Sequence, residues 1–142
     1  MELKEAYKTS EVQKLTGLTW RRLTYWVEIG FFLPSVHVGG KGKGNSHVFS
    51  FTDVVELDAL RKLRDGGASL QKLRKAKEAM GKLDLRAPFC CLAISGDDIL
   101  ASNDRGEFVS LITQPGQQTL FTAVDIAESR REIEKRIKAE VR

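Results

Sequence analysis

The chain has 142 residues, of which 42% are hydrophobic and 30% charged, enough for one or two small globular units with a modest core. No apolar run approaches the ~20 residues of a membrane-spanning helix, and Met1-Glu2-Leu3-Lys4-Glu5 lacks the basic-then-apolar order of a secretory signal. A cytoplasmic location is therefore expected. The net charge of +4 is uneven: residues 1–86 carry 16 Lys/Arg against 10 Asp/Glu, whereas residues 87–142 carry 7 against 9. A basic first part suits a polyanion partner, and the slightly acidic second part suits a different task.

In chain order, Ser10 and Gln13 have capping-box spacing and predict a short helix with Val12 and Leu15 inward, ended by Thr16-Gly17. Leu18 is apolar, and Thr19 caps a second helix reaching Ile29, with Gly30 in the left-handed position that closes it. Two short helices joined by about three residues that include a glycine make a helix-turn-helix arrangement. Phe31-Phe32-Leu33-Pro34 is extended, because proline biases its predecessor away from helix. Val36-His37-Val38 and His47-Val48-Phe49 flank a Gly/Lys-rich tip and predict a β-hairpin. Ser50 with Asp53 repeats the capping-box spacing and opens a third helix with Val54, Leu57, Leu60 and Leu63 inward, closed by Gly66-Gly67. Ser69 caps a fourth helix running to about Lys82, with Leu70, Leu73, Ala76 and Met80 inward and Lys72, Arg74, Lys75 and Lys77 outward.

At Arg86-Ala87-Pro88 the pattern changes, which places a domain boundary between residues 86 and 87. Strands are expected over residues 89–95, 99–102 and 108–113, with a short fourth at 119–121, together an antiparallel meander. Helical periodicity returns from about residue 123 to 141, with Ile126, Ile133, Ile137 and Val141 on one stripe and Arg130 and Glu134 at its margins. The fold class is α+β: four helices and a hairpin wing, then a small antiparallel meander and a C-terminal helix. Cys90 and Cys91 are adjacent, point to opposite faces of an extended strand, and do not bridge each other. No Cys/His pair has zinc-site spacing, so neither a metal nor a cofactor is expected.

The second helix carries the chemistry. Its cap and first turns expose Thr19, Trp20, Arg21, Arg22, Thr24 and Tyr25, while Leu18, Leu23, Trp26, Val27 and Ile29 remain for the core. A helix fits the DNA major groove, where arginine pairs with guanine or phosphate, and Thr and Tyr hydroxyls suit phosphate oxygens. Taken alone, two arginines on a surface helix are equally well a solvated pair.

The surrounding order tips that balance. Tyr7, Glu11-Val12, Leu15 through Trp26, Gly30-Phe31-Phe32 and Pro34, followed by Phe49 through Val54, Leu63-Arg64 and Gly67 through Leu70, resemble the N-terminal half of the MerR family of winged-helix regulators over about residues 7–80. The resemblance implies a homodimer whose second helix enters the major groove, whose hairpin lies along the backbone as a wing, and which often bends or untwists promoter DNA. It matches Arg21, Arg22 and Tyr25 to DNA-contacting positions and places Lys41, Lys43, Asn45 and His47 on the wing. His47 stands where the wing often has arginine, Lys72 replaces a frequent acidic partner of the Ser69 cap, and the wing is longer and richer in glycine. Trp20 either packs over the sugar-phosphate backbone or braces the hairpin, with the second favoured. His37 is expected to be structural or solvated.

Pro88 and the strands interrupt the long dimer helix of the family. The C-terminal helix, about 20 residues or roughly 30 Å long, is its expected replacement, with dimerisation through Ile126, Arg130, Ile133, Ile137 and Val141. A single-copy cap on the strands is the alternative. Cys90-Cys91 does not reproduce the separated cysteines of metal-responsive relatives, and the second part has room only for a small ligand. The reading is a nucleoid-associated, homodimeric regulator of transcription bound to double-stranded DNA. A small-molecule or protein partner of the C-terminal part is left open, and the competing reading is a DNA-binding antitoxin or excisionase-like adaptor whose C-terminal part grips a protein partner instead of a ligand. An enzyme is disfavoured, because there is no nucleophile–base set, and the Gly/Lys stretch lacks P-loop spacing.

Overall fold

A computed structural model describes residues 6–39, 47–81, 91–95, 98–102, 108–110 and 121–140. The elements are β1 (Tyr7–Lys8), α1 (Thr9–Thr16), α2 (Trp20–Glu28), β2 (Val48–Phe49), α3 (Phe51–Asp65), α4 (Leu70–Met80), β3 (Cys91–Ser95), β4 (Asp98–Ser102), β5 (Phe108–Ser110), β6 (Phe121–Asp125) and α5 (Ile126–Glu140). They form two compact units, one of Met1–Asp58 with Glu132–Arg142 and the other of Ala59–Arg131. The expected boundary at 86/87 lies outside the described residues.

In the first unit, α1 starts ahead of the predicted cap. Lys8 is the flanking residue, and the Glu11 carboxylate accepts its backbone N–H at 3.1 Å. Ser10 therefore lies inside the helix, because a carboxylate at the third helical position reaches back to the first orphan donor and meets the positive end of the dipole. At the other end Gly17 takes φ 80°, and its N–H bonds the Gln13 carbonyl at 2.9 Å. The buried Thr16 hydroxyl donates to the Val12 carbonyl at 2.7 Å and accepts the Leu18 N–H at 3.2 Å, which fixes the path into the turn. Only Gly17, Leu18 and Thr19 separate the two helices. The Thr19 hydroxyl accepts the Arg22 N–H at 3.1 Å, and Gly30, at φ 74°, follows the end of α2. Leu23, Trp26 and Val27 form the buried stripe of α2, at the three- and four-residue spacing of one helix face. Trp26 meets Phe31 edge to face at 5.1 Å.

The base of the hairpin is one antiparallel pair, His37 and Val48, exchanging N–H···O bonds of 3.1 and 2.8 Å. The predicted tip falls on residues 40–46, which lie outside the described residues. On its other side β2 pairs with β1, Tyr7 opposite Phe49 and Lys8 opposite Val48. The predicted capping box at Ser50 is present in both directions: Asp53 N–H to Ser50 Oγ at 3.0 Å, and Ser50 N–H to Asp53 Oδ2 at 2.9 Å.

The second unit takes the later turns of α3, then α4, the four-stranded sheet and the first turns of α5. Gly67, at φ 107°, closes α3 in a Schellman arrangement, with Ala68 N–H on Leu63 O and Gly67 N–H on Arg64 O, both at 3.0 Å. The Ser69 hydroxyl accepts the Lys72 N–H at 3.3 Å, and α4 ends at Met80 rather than running to Lys82. The strand order is β5-β4-β3-β6. The expected four-stranded meander is thus corrected: β3, β4 and β5 follow one another, but the fourth strand returns beside the first, Leu92 opposite Val124. Turn signals report neighbours in sequence and are silent about a strand that returns across the sheet. The fourth strand also displaces the expected start of the last helix from 123 to Ile126, where Asp125 Oδ1 caps it by accepting the Glu128 N–H at 3.0 Å. Lys62 Nζ donates to the fully buried Ser129 hydroxyl at 2.8 Å. Among the described residues, no helix is long and apolar enough to cross a membrane.

Candidate nucleic-acid interface

The face of α2 opposite Leu23, Trp26 and Val27 meets solvent. Thr19 and Arg21 are exposed, Trp20 is 62% and Tyr25 51% exposed, and Arg22 and Thr24 are half-buried. The arginines sit in the first turn, where the positive end of the helix dipole adds to their charge. The acidic residue of the helix, Glu28, lies at its far end. All six predicted residues of this helix are therefore on or beside one outward, cationic, aromatic-bearing surface. With 62% of its surface exposed, most of the Trp20 indole is uncovered.

Of the predicted wing residues, Lys41, Lys43 and Asn45 lie outside the described residues. His47 is half-buried; its Nδ1 accepts the Gly39 N–H at 3.0 Å and its ring lies edge-on to Phe49 at 6.4 Å. This histidine ties the two sides of the hairpin together, which leaves Nε2 as its remaining polar atom. His37 is exposed, and its backbone forms the bridge to Val48.

Sequence reasoning named Asp53 as a capping residue but missed its second role, anchoring the segment that leads into the hairpin. Asp53 is 7% exposed, and its Oδ2 accepts from Ser35 N–H at 2.8 Å and Ser35 Oγ–H at 2.7 Å as well as from Ser50. One carboxylate oxygen thus joins the start of α3 to the strand entering the hairpin. The capping-box spacing pointed to Ser50–Asp53 but carried no signal for Ser35, which is 18 residues distant. Leu33, Val36 and Val38, around the same segment, are 56%, 51% and 48% exposed.

Three of the predicted dimerisation residues are buried within the single chain. Ile126 and Ile133 are fully buried and Ile137 nearly so, Arg130 is half-buried, and Val141 lies outside the described residues. Cys91 is half-buried; burial pushes its thiol up, the nearby Asp125 carboxylate adds to the shift by charge and hydrogen bonding, and Arg131 opposes it. Among the described residues, no three His, Cys, Asp or Glu side chains gather as a metal site would require.

Two short helices across a three-residue turn, the second presenting cationic and aromatic side chains outward, define a helix-turn-helix protein. Residues 7–80, more than half of the chain, match the family described as MerR HTH family regulatory protein, and the chain belongs to that family. It is also similar to uncharacterized HTH-type transcriptional regulators of Mycobacterium bovis and Mycobacterium tuberculosis, 31% identical over 70 residues that cover 49% of this chain and 31% of theirs. The chain thus spans about a third of the length of these curated relatives.

Proposed function

We propose that this chain is a sequence-specific, DNA-binding regulator of transcription that acts as a homodimer, with α2 in the major groove and the Gly/Lys wing on the backbone. The observation that supports it is the outward face of α2: Trp20, Arg21, Thr24 and Tyr25 share one side of a helix whose other side is buried. In helix-turn-helix proteins the N-terminal residues of the second helix reach base edges. Arg21 and Arg22 supply forked donors for guanine or phosphate, and Thr19, Thr24 and Tyr25 supply hydroxyls for phosphate oxygens. Lys41, Lys43, Asn45 and His47 of the wing supply further backbone contacts.

Selection of bound sequences from random duplex DNA tests the reading. A recovered motif is expected, and a palindrome in it reports a two-fold assembly. Arg21→Ala and Arg22→Ala should each cost about 1–3 kcal/mol of specific binding where the arginine contacts a base. Unchanged affinity in both variants refutes the role of α2.

A homodimer that used Ile126, Arg130, Ile133, Ile137 and Val141 would form by exchanging α5 between copies, since three of these side chains are buried in the single chain. The same burial weighs against a ready-made dimer seam on the surface of α5 and so keeps a second reading open, in which the second unit grips a different protein as an adaptor or antitoxin would. Sedimentation of the purified chain separates the two: a dimer supports the first, and a monomer that co-purifies with a second polypeptide supports the other.

A further inference from the structure

The last carbonyls of a helix have no partner within it and must find one outside. At the end of α1, Gly17 N–H takes the Gln13 carbonyl. The Leu15 carbonyl is taken by Arg136 Nη1, which stands 121 residues away on α5. Both residues belong to the same compact unit. Ile133 and Ile137, three residues before and one after Arg136, are buried, so this stretch of α5 is seated in the unit. The Arg136 side chain is paired only loosely along its own helix, with Glu132 at 4.0 Å. A guanidinium at the carbonyl end of α1 opposes the negative end of that helix dipole. Immediately after Leu15 come Thr16, Gly17, Leu18 and Thr19, the residues that decide where and at what angle α2 begins.

We propose that Arg136 is a positioning residue for DNA recognition: it clamps the carbonyl end of α1 at the turn and so holds α2 in its reading orientation, without contacting DNA. This rests on α2 being the DNA-reading helix. It makes α5 a working part of the head, although the family resemblance ends near residue 80.

The test compares wild type, Arg136→Ala, Arg136→Gln, Arg136→Lys and the exposed control Lys138→Ala on the selected duplex and on a non-specific duplex. Kd is measured over a salt series at about 10 °C, where every variant used is shown by circular dichroism to be folded. Arg136→Ala is expected to weaken the specific complex about tenfold, the loss of one charge-assisted hydrogen bond. Non-specific binding and the salt slope should stay unchanged. Lysine, which keeps a cationic donor, should restore most of the affinity, and Lys138→Ala should match wild type. If the alanine variant does not fold, Arg136→Gln, which keeps part of the stem and a neutral donor on a shorter reach, is expected to lose at least about threefold. Affinity equal to wild type in the folded variant overturns the proposal, because a contact that only stabilises the fold lowers the melting temperature and leaves Kd alone. A salt slope reduced by about one overturns it in favour of a direct phosphate contact. Failure of the wild type to bind any duplex would refute the DNA reading of α2 and would be recognised before the variants are compared.

Discussion

Replacing Asp53 by alanine removes an oxygen that accepts three hydrogen bonds, from Ser35 N–H, Ser35 Oγ–H and Ser50 N–H, at 2.7 to 2.9 Å. Bonds to a charged acceptor contribute about 1.5–3 kcal/mol each, but they share one atom and do not add. The Ser50 N–H is also the orphan donor that a capping box satisfies, a feature worth about 1 kcal/mol. The working value for Asp53→Ala is therefore roughly 3–4 kcal/mol, a large fraction of the ~5–15 kcal/mol that holds a domain together. Asp53→Asn keeps an amide oxygen in the same place without its charge and should lose about half as much. Urea unfolding followed by tryptophan fluorescence checks this: the midpoint should fall while the slope stays constant, and the melting temperature should drop by about 10 °C. Ser35→Ala in both backgrounds isolates the bridge to the hairpin, with an expected coupling of about 1–2 kcal/mol. A loss under about 1 kcal/mol for Asp53→Ala, or no coupling to Ser35, would refute the claim that this carboxylate holds the approach to the wing.

Trp20→Ala should change stability by less than about 0.5 kcal/mol, because the indole is mostly exposed, while it weakens DNA binding; a marked fall in melting temperature would show the side chain to be a brace. Ile133→Ala should cost about 2–4 kcal/mol at any protein concentration, since the side chain is buried within one chain; a loss that vanishes on raising the concentration would place it in a subunit seam. Gly67→Ala forces a Cβ into φ 107° and should cost about 1–2 kcal/mol with no neighbour in the way, measured by thermal melting. In a Cys90→Ser background, the raised pKa of Cys91 leaves less thiolate at a given pH, so alkylation at pH 8 should run slower than for a free cysteine and reach half its limiting rate at higher pH. Asp125→Asn should speed that reaction, and an unchanged rate would remove Asp125 as a cause.

What could be read in advance was local. Gly17, Thr19, Gly30, Ser50, Gly67 and Ser69 each end or begin a helix through contacts within a few residues, and those contacts leave a spacing in the sequence. The buried and exposed faces of α2 follow the helical period, so the candidate contact residues could be named from it. What stayed hidden was the choice of distant partners. Two-residue strands such as β1 and β2 are too short to show a period of two. Ser35 reaches Asp53, β6 finds β3, and Arg136 finds Leu15, through geometry that only the assembled chain possesses. The apolar stripe of α5 was visible, but periodicity says that a face is covered, not which surface covers it.

The first unit is discontinuous: residues up to Asp58 and from Glu132 onward share it, with the second unit inserted between them. This has a consequence for synthesis. A ribosome delivers α1, the turn and α2 early, yet Ile133, Arg136 and Ile137 emerge only after more than a hundred further residues have been added. Closing so long a loop costs little at equilibrium, about 0.6 kcal/mol for each doubling of its length, but non-local contacts of this kind slow folding. The first unit is therefore completed late, and a chain interrupted within the second unit carries α2 without the α5 residues that belong to the same unit.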